Sequence, residues 1–329
     1  MTIIETENLW KSFRVRRRTV DAVRGIHLSI HEGEMFAFLG PNGAGKSTTL
    51  RILTTLLPPN KGRAVVAGYD VKSNPNSVRS SIGYVSQNGG LDAMMTGREN
   101  IMLQAQCYNL PAAKARKRAT ELIEGLDMTE FADRLVRTYS GGQRRRLDLA
   151  LGLVHQPQVL FLDEPSIGLD PQSRATLWEE VRKLHTTGTT IFLTTHYLDE
   201  ADQLCDRLAI INEGQIVAEG TPTQLKQQVA GDVITLGIRE EGEASTRARV
   251  LLQEQAFVRE LHEMPAAQAQ ELRLQVYVER GEESLVTMLH LLEEAGLHAQ
   301  SVSLARPSLD DVFLRITGRS LEEATNKAV

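Results

Sequence analysis

Lys46 and Ser47 stand near the end of the stretch GPNGAGKST, and Asp163 and Glu164 near the end of VLFLDEP. The first fits G-x-x-x-x-G-K-[ST], a pattern whose chemistry is the cradling of a nucleotide's phosphates. Gly40, Gly43 and Gly45 let the loop through Pro41, Asn42 and Ala44 wrap phosphate oxygens without Cβ clashes. Lys46 reaches the β- and γ-phosphates, the Ser47 hydroxyl ligates Mg²⁺, and Thr48 leads into the following helix. In the second stretch, Asp163 ends an apolar strand and places a carboxylate beside the metal. Glu164 follows at once, on the side where an attacking water would lie, and a base there serves in-line attack on the γ-phosphate. Two acids after a strand are unremarkable alone; beside a phosphate loop they have work to do.

A second glycine-rich turn lies about a hundred residues on, in TYSGGQRRRLDLAL. Ser140, Gly141, Gly142 and Gln143 open a helix, where free N–H groups and the positive dipole end favour an anion. This turn has no lysine. His196 closes the apolar run TIFLTTH, and Gln87 closes IGYVSQ. Either would be bland alone. At the phosphate edge of one sheet, His196 can donate to a γ-phosphate and the Gln87 amide oxygen can join the Mg²⁺ and water network.

These groups need a scaffold that brings strand ends together. Short apolar runs (MFAFL, AVVAG, IGYVS, VLFLD, TIFLTT, RLAIIN) alternate with helical stretches, which predicts a largely parallel sheet covered by helices. TIIETENLWKSF and AVRGIHLSI precede them as alternating, antiparallel-type strands. A helical insertion is expected at about 88–158. Beyond Gly220-Thr221-Pro222 the pattern changes. Residues 232–318 read strand–helix–strand–strand–helix–strand, a small α+β domain of ferredoxin-like order, with 319–329 as a tail. The arginine-rich runs are read as solvated charge: FRVRRRTV (Arg14, Arg16, Arg17, Arg18) at a hairpin tip, RKR at 116–118 and RRR at 144–146 on helix surfaces.

Composition narrows the function classes. A chain of 329 residues exceeds one typical domain, and a net charge of −5 argues against nucleic-acid binding. Cys107 and Cys205 lack metal-ligand spacing. No apolar run is long enough to span a bilayer, and the first residues are too polar for a secretory signal, so a cytoplasmic protein is expected.

In their order, GPNGAGKST, Gln87, YSGGQ, VLFLDE, SIGLD and His196 resemble the ATP-binding cassette ATPases, the nucleotide-binding subunits of ABC transporters. The resemblance covers residues 1–222. It implies ATP and Mg²⁺ as ligands, and Phe13 at the position where the family stacks an aromatic ring on adenine. Tyr139 stands where the family usually has leucine. The resemblance also implies a head-to-tail homodimer in which SGGQ of one chain closes over the ATP held by the other. The second anion turn then needs no lysine, because the facing Lys46 already counters the charge. Asp170, in SIGLD, would lie at the same seam. A separately encoded membrane permease is implied as partner, docked on the insertion at 88–135, with Met94, Met95, Ile101, Met102 and Leu103 as candidate contacts. The chain would then sit on the cytoplasmic face of the membrane.

RPSLDDVFLRITGRSLEE (Arg306–Glu323), through Pro307, Asp310, Asp311, Phe313 and Thr317-Gly318, is similar to the drug-export branch typified by daunorubicin/doxorubicin-resistance ATPases. An exporter subunit is therefore the expectation. A nutrient importer fits the tail less well. A soluble cassette protein acting on ribosomes or DNA would carry two cassettes or a coiled-coil insertion, and this chain has neither.

Overall fold

The structure, a computed structural model, describes residues 1–15, 18–87, 89–228, 231–239, 244–264, 271–305 and 307–318. Arg16, Arg17, Arg306 and the tail 319–329 lie outside the described residues. Two compact units are found, Met1–Pro222 and Thr223–Ser320.

In the first unit, β1 (Thr2–Val15) and β2 (Arg18–His31) form a long antiparallel pair, with register partners such as Trp10↔Arg24. Next come β3 (Met35–Leu39), α1 (Lys46–Leu53), β4 (Lys61–Val66), β5 (Tyr69–Asp70), α2 (Pro75–Ser81) and β6 (Ile82–Val85). The insertion holds α3 (Gly97–Cys107), α4 (Ala112–Gly125) and α5 (Gly141–Leu153). The sheet then resumes with β7 (Val159–Asp163), α6 (Pro171–Thr186), β8 (Thr190–Thr195), α7 (Leu198–Leu204), β9 (Arg207–Asn212) and β10 (Gln215–Gly220), before α8 (Pro222–Gln228).

One sheet runs β2-β1-β4-β5. The other runs β10-β9-β3-β8-β7-β6, parallel except for the β10 edge. Strands β3, β7 and β8 are buried at every position, because helices on one face and the antiparallel sheet on the other exclude water from both. Phe192 centres the packing, its ring 5.8 Å from Phe36 and from Phe38 and 5.5 Å from Phe161. Since β3, β8, β7 and β6 are consecutive neighbours, their carboxyl ends meet along one edge. That edge carries the loop after Leu39, His196, Asp163-Glu164 and Gln87.

Within the insertion, α3 starts at a capping box of Thr96 and Glu99. The Tyr139 hydroxyl donates to the Phe131 carbonyl at 2.7 Å, and the two rings meet edge to face. Gly97 makes room for this: a Cβ there would stand 2.4 Å from the Tyr139 oxygen. Gly97→Ala should lower stability by about 1–3 kcal/mol, an overpacking cost. Tyr139→Leu, which removes the hydroxyl, should restore most of it. Thermal unfolding of the three variants checks this, and additive losses would contradict it.

Two readings of this region are corrected. Ile101 is fully buried and cannot offer a docking contact; Met94 and Leu103 are exposed, and Met95 and Met102 lie between. Arg145 is not a surface charge but is buried, since α5 turns that side toward β6 and the Gln87 loop. Arg118 is also partly covered, donating to the Leu153 carbonyl at 3.0 Å.

The second unit runs β11 (Asp232–Arg239), α9 (Ala244–Gln253), β12 (Val258–Met264), β13 (Glu271–Val278), α10 (Gly281–Glu294), β14 (Ala299–Ala305) and α11 (Leu309–Thr317). Its antiparallel sheet has the order β12-β13-β11-β14, with one core of residues such as Ile234, Leu236, Leu274, Val276, Leu252 and Met288. The export-branch residues here do structural work. Asp311 closes a capping box with Ser308, Phe313 is fully buried, and Gly318 ends α11 in the left-handed conformation.

Candidate active site

The helix that holds the phosphate loop begins with nothing on its N-cap: Gly45 supplies no side chain, so the first amides of α1 are left for an anion. Gly45 has φ +105°, and a Cβ there would lie 2.3 Å from the Ala22 carbonyl oxygen. Only glycine fits that seam between the loop and β2. Lys46 is buried, and its Nζ donates to the carbonyls of Gly40 at 2.7 Å and Pro41 at 3.1 Å. The ammonium also lies 3.2 Å from Glu164 Oε1. Burial pushes the Lys46 ammonium below its ordinary pKa, opposed by the carboxylates of Glu164 and Asp163.

Asp163 and Glu164 diverge at the end of β7. Asp163 Oδ1 accepts from Ser47 Oγ at 2.9 Å and from Thr194 Oγ1 at 2.7 Å. Glu164 adopts φ +47°, a left-handed conformation uncommon outside glycine, and is held there by N–H bonding to the Thr194 carbonyl and hydroxyl, both at 3.1 Å. That bend turns its carboxylate toward three groups: Lys46, His196 Nδ1 at 3.4 Å and Gln87 Nε2 at 3.4 Å. Burial alone would raise the Glu164 carboxyl. His196 and Lys46 outweigh it and hold the group below its ordinary value, so it is charged and able to accept a proton. One concavity is lined by Pro41, Asn42, Gly43, Gly45, Lys46, Ser47, Thr48, Gln87 and Glu164, with Ala22 and Ile167. Ser47 Oγ, on its lining, and Asp163 Oδ1, buried behind it, form an all-oxygen donor pair, the chemistry a hard divalent cation requires.

The other turn is elsewhere. Ser140 caps α5: its Oγ accepts from Gln143 N–H at 3.3 Å, and its own N–H donates to Gln143 Oε1 at 3.1 Å. A separate concavity is lined by Ser140, Gly142, Gln143, Arg145, Arg146, Leu169 and Ser173, and shares no residue with the first. Asp170 caps α6, its carboxylate accepting from Ser173 N–H at 2.9 Å and Oγ at 2.6 Å. A Cβ on Gly142 would meet that same Ser173 Oγ at 3.1 Å, so SGGQ and SIGLD abut. Phe13 is partly exposed on β1, 5.5 Å from the Lys11 ammonium, and does not line the phosphate concavity. Gly40 and Ala44 shape the loop from behind: Gly40 through its carbonyl, Ala44 through hydrogen bonds with Pro41 and Gly214. Thr194, missed from sequence, ties both acids in place; hydroxyls inside the apolar run TIFLTTH were its signal.

Comparison with known proteins follows the same division. Residues 23–167 match the family model described as ABC transporter, and 220–317 match the model for the ATP-binding protein DrrA1-3-like C-terminal domain. The chain is 44% identical to the daunorubicin resistance ATP-binding protein DrrA2 of Streptomyces coeruleorubidus, over 93% of each chain. It is 36% identical to the linearmycin resistance ATP-binding protein LnrL of Bacillus subtilis (strain 168), over 98% of this chain and 100% of that one. Among solved structures, a dimeric ATP-binding cassette in a post-hydrolysis state bound to ADP and Pi is similar with a TM-score of 0.61 and 26% identity, covering 67% of this chain and 98% of that one.

Proposed function

Because this chain belongs to the ATP-binding cassette family of transporter ATPases, we propose that it hydrolyses ATP in a head-to-tail dimer and drives a separately encoded membrane permease for export. The observation that carries this reading is the pair of anion turns in unshared concavities: one is lined by Lys46, Ser47, Gln87 and Glu164, the other by Ser140, Gly142 and Gln143 with Arg145 and Arg146. A single chain cannot close the second turn over a nucleotide held in the first. Two chains related by a twofold axis can, twice.

In this reading the α1 amides and Lys46 bind and orient the phosphates, and Phe13 stacks on the adenine. Ser47 and Asp163 hold Mg²⁺ with Gln87 nearby; when bound, the ion neutralises charge developing on the transferred phosphoryl group. Glu164 accepts a proton from the attacking water. His196 donates to the γ-phosphate and, through its contact with Glu164, keeps that carboxylate charged. The partner's Ser140 and the glycines after it close the site and exclude bulk water, with Asp170 fixing the α6 end against them. The C-terminal unit is an accessory domain without catalytic residues.

The names of the relatives, resistance proteins for daunorubicin and linearmycin, support a drug-like or lipid-like export substrate. Among the described residues no helix is long and apolar enough to cross a membrane, which fits a peripheral subunit on the cytoplasmic face. To test the partner, tagged Glu164→Gln protein is purified with ATP and Mg²⁺ from detergent-solubilised membranes of the native host. A multi-span membrane protein should co-purify in stoichiometric amount. Recovery of only the dimer, or of ribosomal proteins, would contradict export.

A further inference from the structure

Arg145 lies one turn into the helix that opens with SGGQ, and it reaches back to the loop of Gln87. Its Nη1 donates to the Ser86 carbonyl at 2.9 Å, immediately before Gln87. Asp148, next to it on α5, has Gly89 packed against its carboxylate, a Cβ there standing 3.0 Å from Oδ1. The loop is also closed on itself, Ser86 Oγ donating to the Gly89 carbonyl at 3.1 Å. Helix α5 therefore grips the chain before and after Gln87, whose amide touches the Glu164 carboxylate.

Burying a guanidinium is costly, and hydrophobic packing would fill the space without it. Among the described residues only one of its donors is used fully: Asp148 Oδ2 stands 3.9 Å from Nη1, and Nε and Nη2 have no hydrogen-bond partner there. A charge retained in a half-satisfied seat calls for a purpose beyond packing. The shortfall leaves the grip free to tighten, since a movement of under an ångström would bring Asp148 within hydrogen-bond distance.

We propose that Arg145 and Asp148 are positioning residues that couple the SGGQ turn to Gln87, so that the partner's nucleotide docking on α5 sets the water-activating group of the chain's own site. The inference rests on the shared-site reading above. It assigns to α5 a direction of communication: from the ATP bound across the dimer, through the helix, to Gln87 and Glu164. Neither residue lines the concavity of the chain's own phosphate loop.

The test is a double-mutant cycle on the full chain, with steady-state ATPase kinetics, nucleotide affinity and thermal unfolding measured for each variant. Arg145→Met keeps the packed stem without the charge, and Asp148→Asn is isosteric. Each should lower kcat by about 10- to 100-fold, the usual scale for a group that orients another. KM and ATP affinity should stay within about twofold, since binding is left intact. In a Gln87→Ala background, Arg145→Met should change kcat by less than about twofold, because the group it positions is gone. Unchanged kcat in Arg145→Met and Asp148→Asn, or an undiminished loss in the Gln87→Ala background, would overturn the coupling while leaving the shared site standing. Normal turnover in Gln87→Ala alone would instead remove the site reading on which the coupling rests.

Discussion

Glu164→Gln should stop turnover while leaving ATP bound. The carboxylate is held charged between Lys46 and His196 by a backbone bend at φ +47°, and a charged carboxylate is what accepts a proton from water. Glutamine matches its shape and can keep an acceptor toward Lys46, but its second position is an amide donor and it cannot take the proton. The loss should be about 10²–10⁴-fold in kcat, the scale of general-base catalysis. With binding intact and hydrolysis blocked, ATP and Mg²⁺ should convert the protein to a stable dimer on size-exclusion chromatography. Phosphate release within about tenfold of the parent would remove Glu164 from the base role.

Lys46→Ala should fail earlier, at binding. The ammonium serves two loop carbonyls and Glu164 from a buried position, and among the described residues it is the only side-chain cation lining the phosphate concavity. Truncating one partner of a buried charge pair costs about 2–5 kcal/mol, so ATP affinity should fall by about 10²-fold. The nucleotide-free protein should also suffer, because Glu164 would be left with burial and less compensation. Its carboxyl, held down by His196 but no longer by Lys46, should then titrate higher than in the parent. A folded-state carboxyl held low stabilises above its unfolded value, so the variant's deficit relative to the parent should be full at neutral pH and shrink as the pH falls through the carboxylate range. Titration with a fluorescent ATP analogue and thermal unfolding at two pH values check both parts.

The residues of the glycine-rich loop were legible because their chemistry tolerates few alternatives. A loop that wraps an anion needs glycines at fixed spacing, and a lysine and hydroxyl at its end, so the motif carries its own geometry. The apolar runs of β3, β7 and β8 were equally plain, being buried on both faces. Arg145 was not, because a run of three arginines on a helix reads as solvent-facing. The helix period brings Asp148, three residues on, beside Arg145, and that i, i+3 pairing was the available signal. Ile101 was misjudged for a similar reason: apolar type alone does not say which face of α3 is covered. The left-handed bend at Glu164 and the contact of Gly142 with Ser173 depend on elements far apart in sequence, and nothing local encodes them.

The shared site itself is tested by mixing two defective proteins. Lys46→Ala lacks the phosphate-binding ammonium, and Ser140→Arg blocks the second turn with bulk and charge; ATPase activity is measured for each alone and for an equal mixture. Each alone should be nearly inactive. In the mixture, half of the dimers pair one variant with the other, and one of their two sites joins an intact Lys46 to an intact Ser140. Activity should therefore return to about a quarter of the parent's if the two sites act independently. Normal turnover by Ser140→Arg alone, or a mixture no more active than its components, would contradict a site built from two chains.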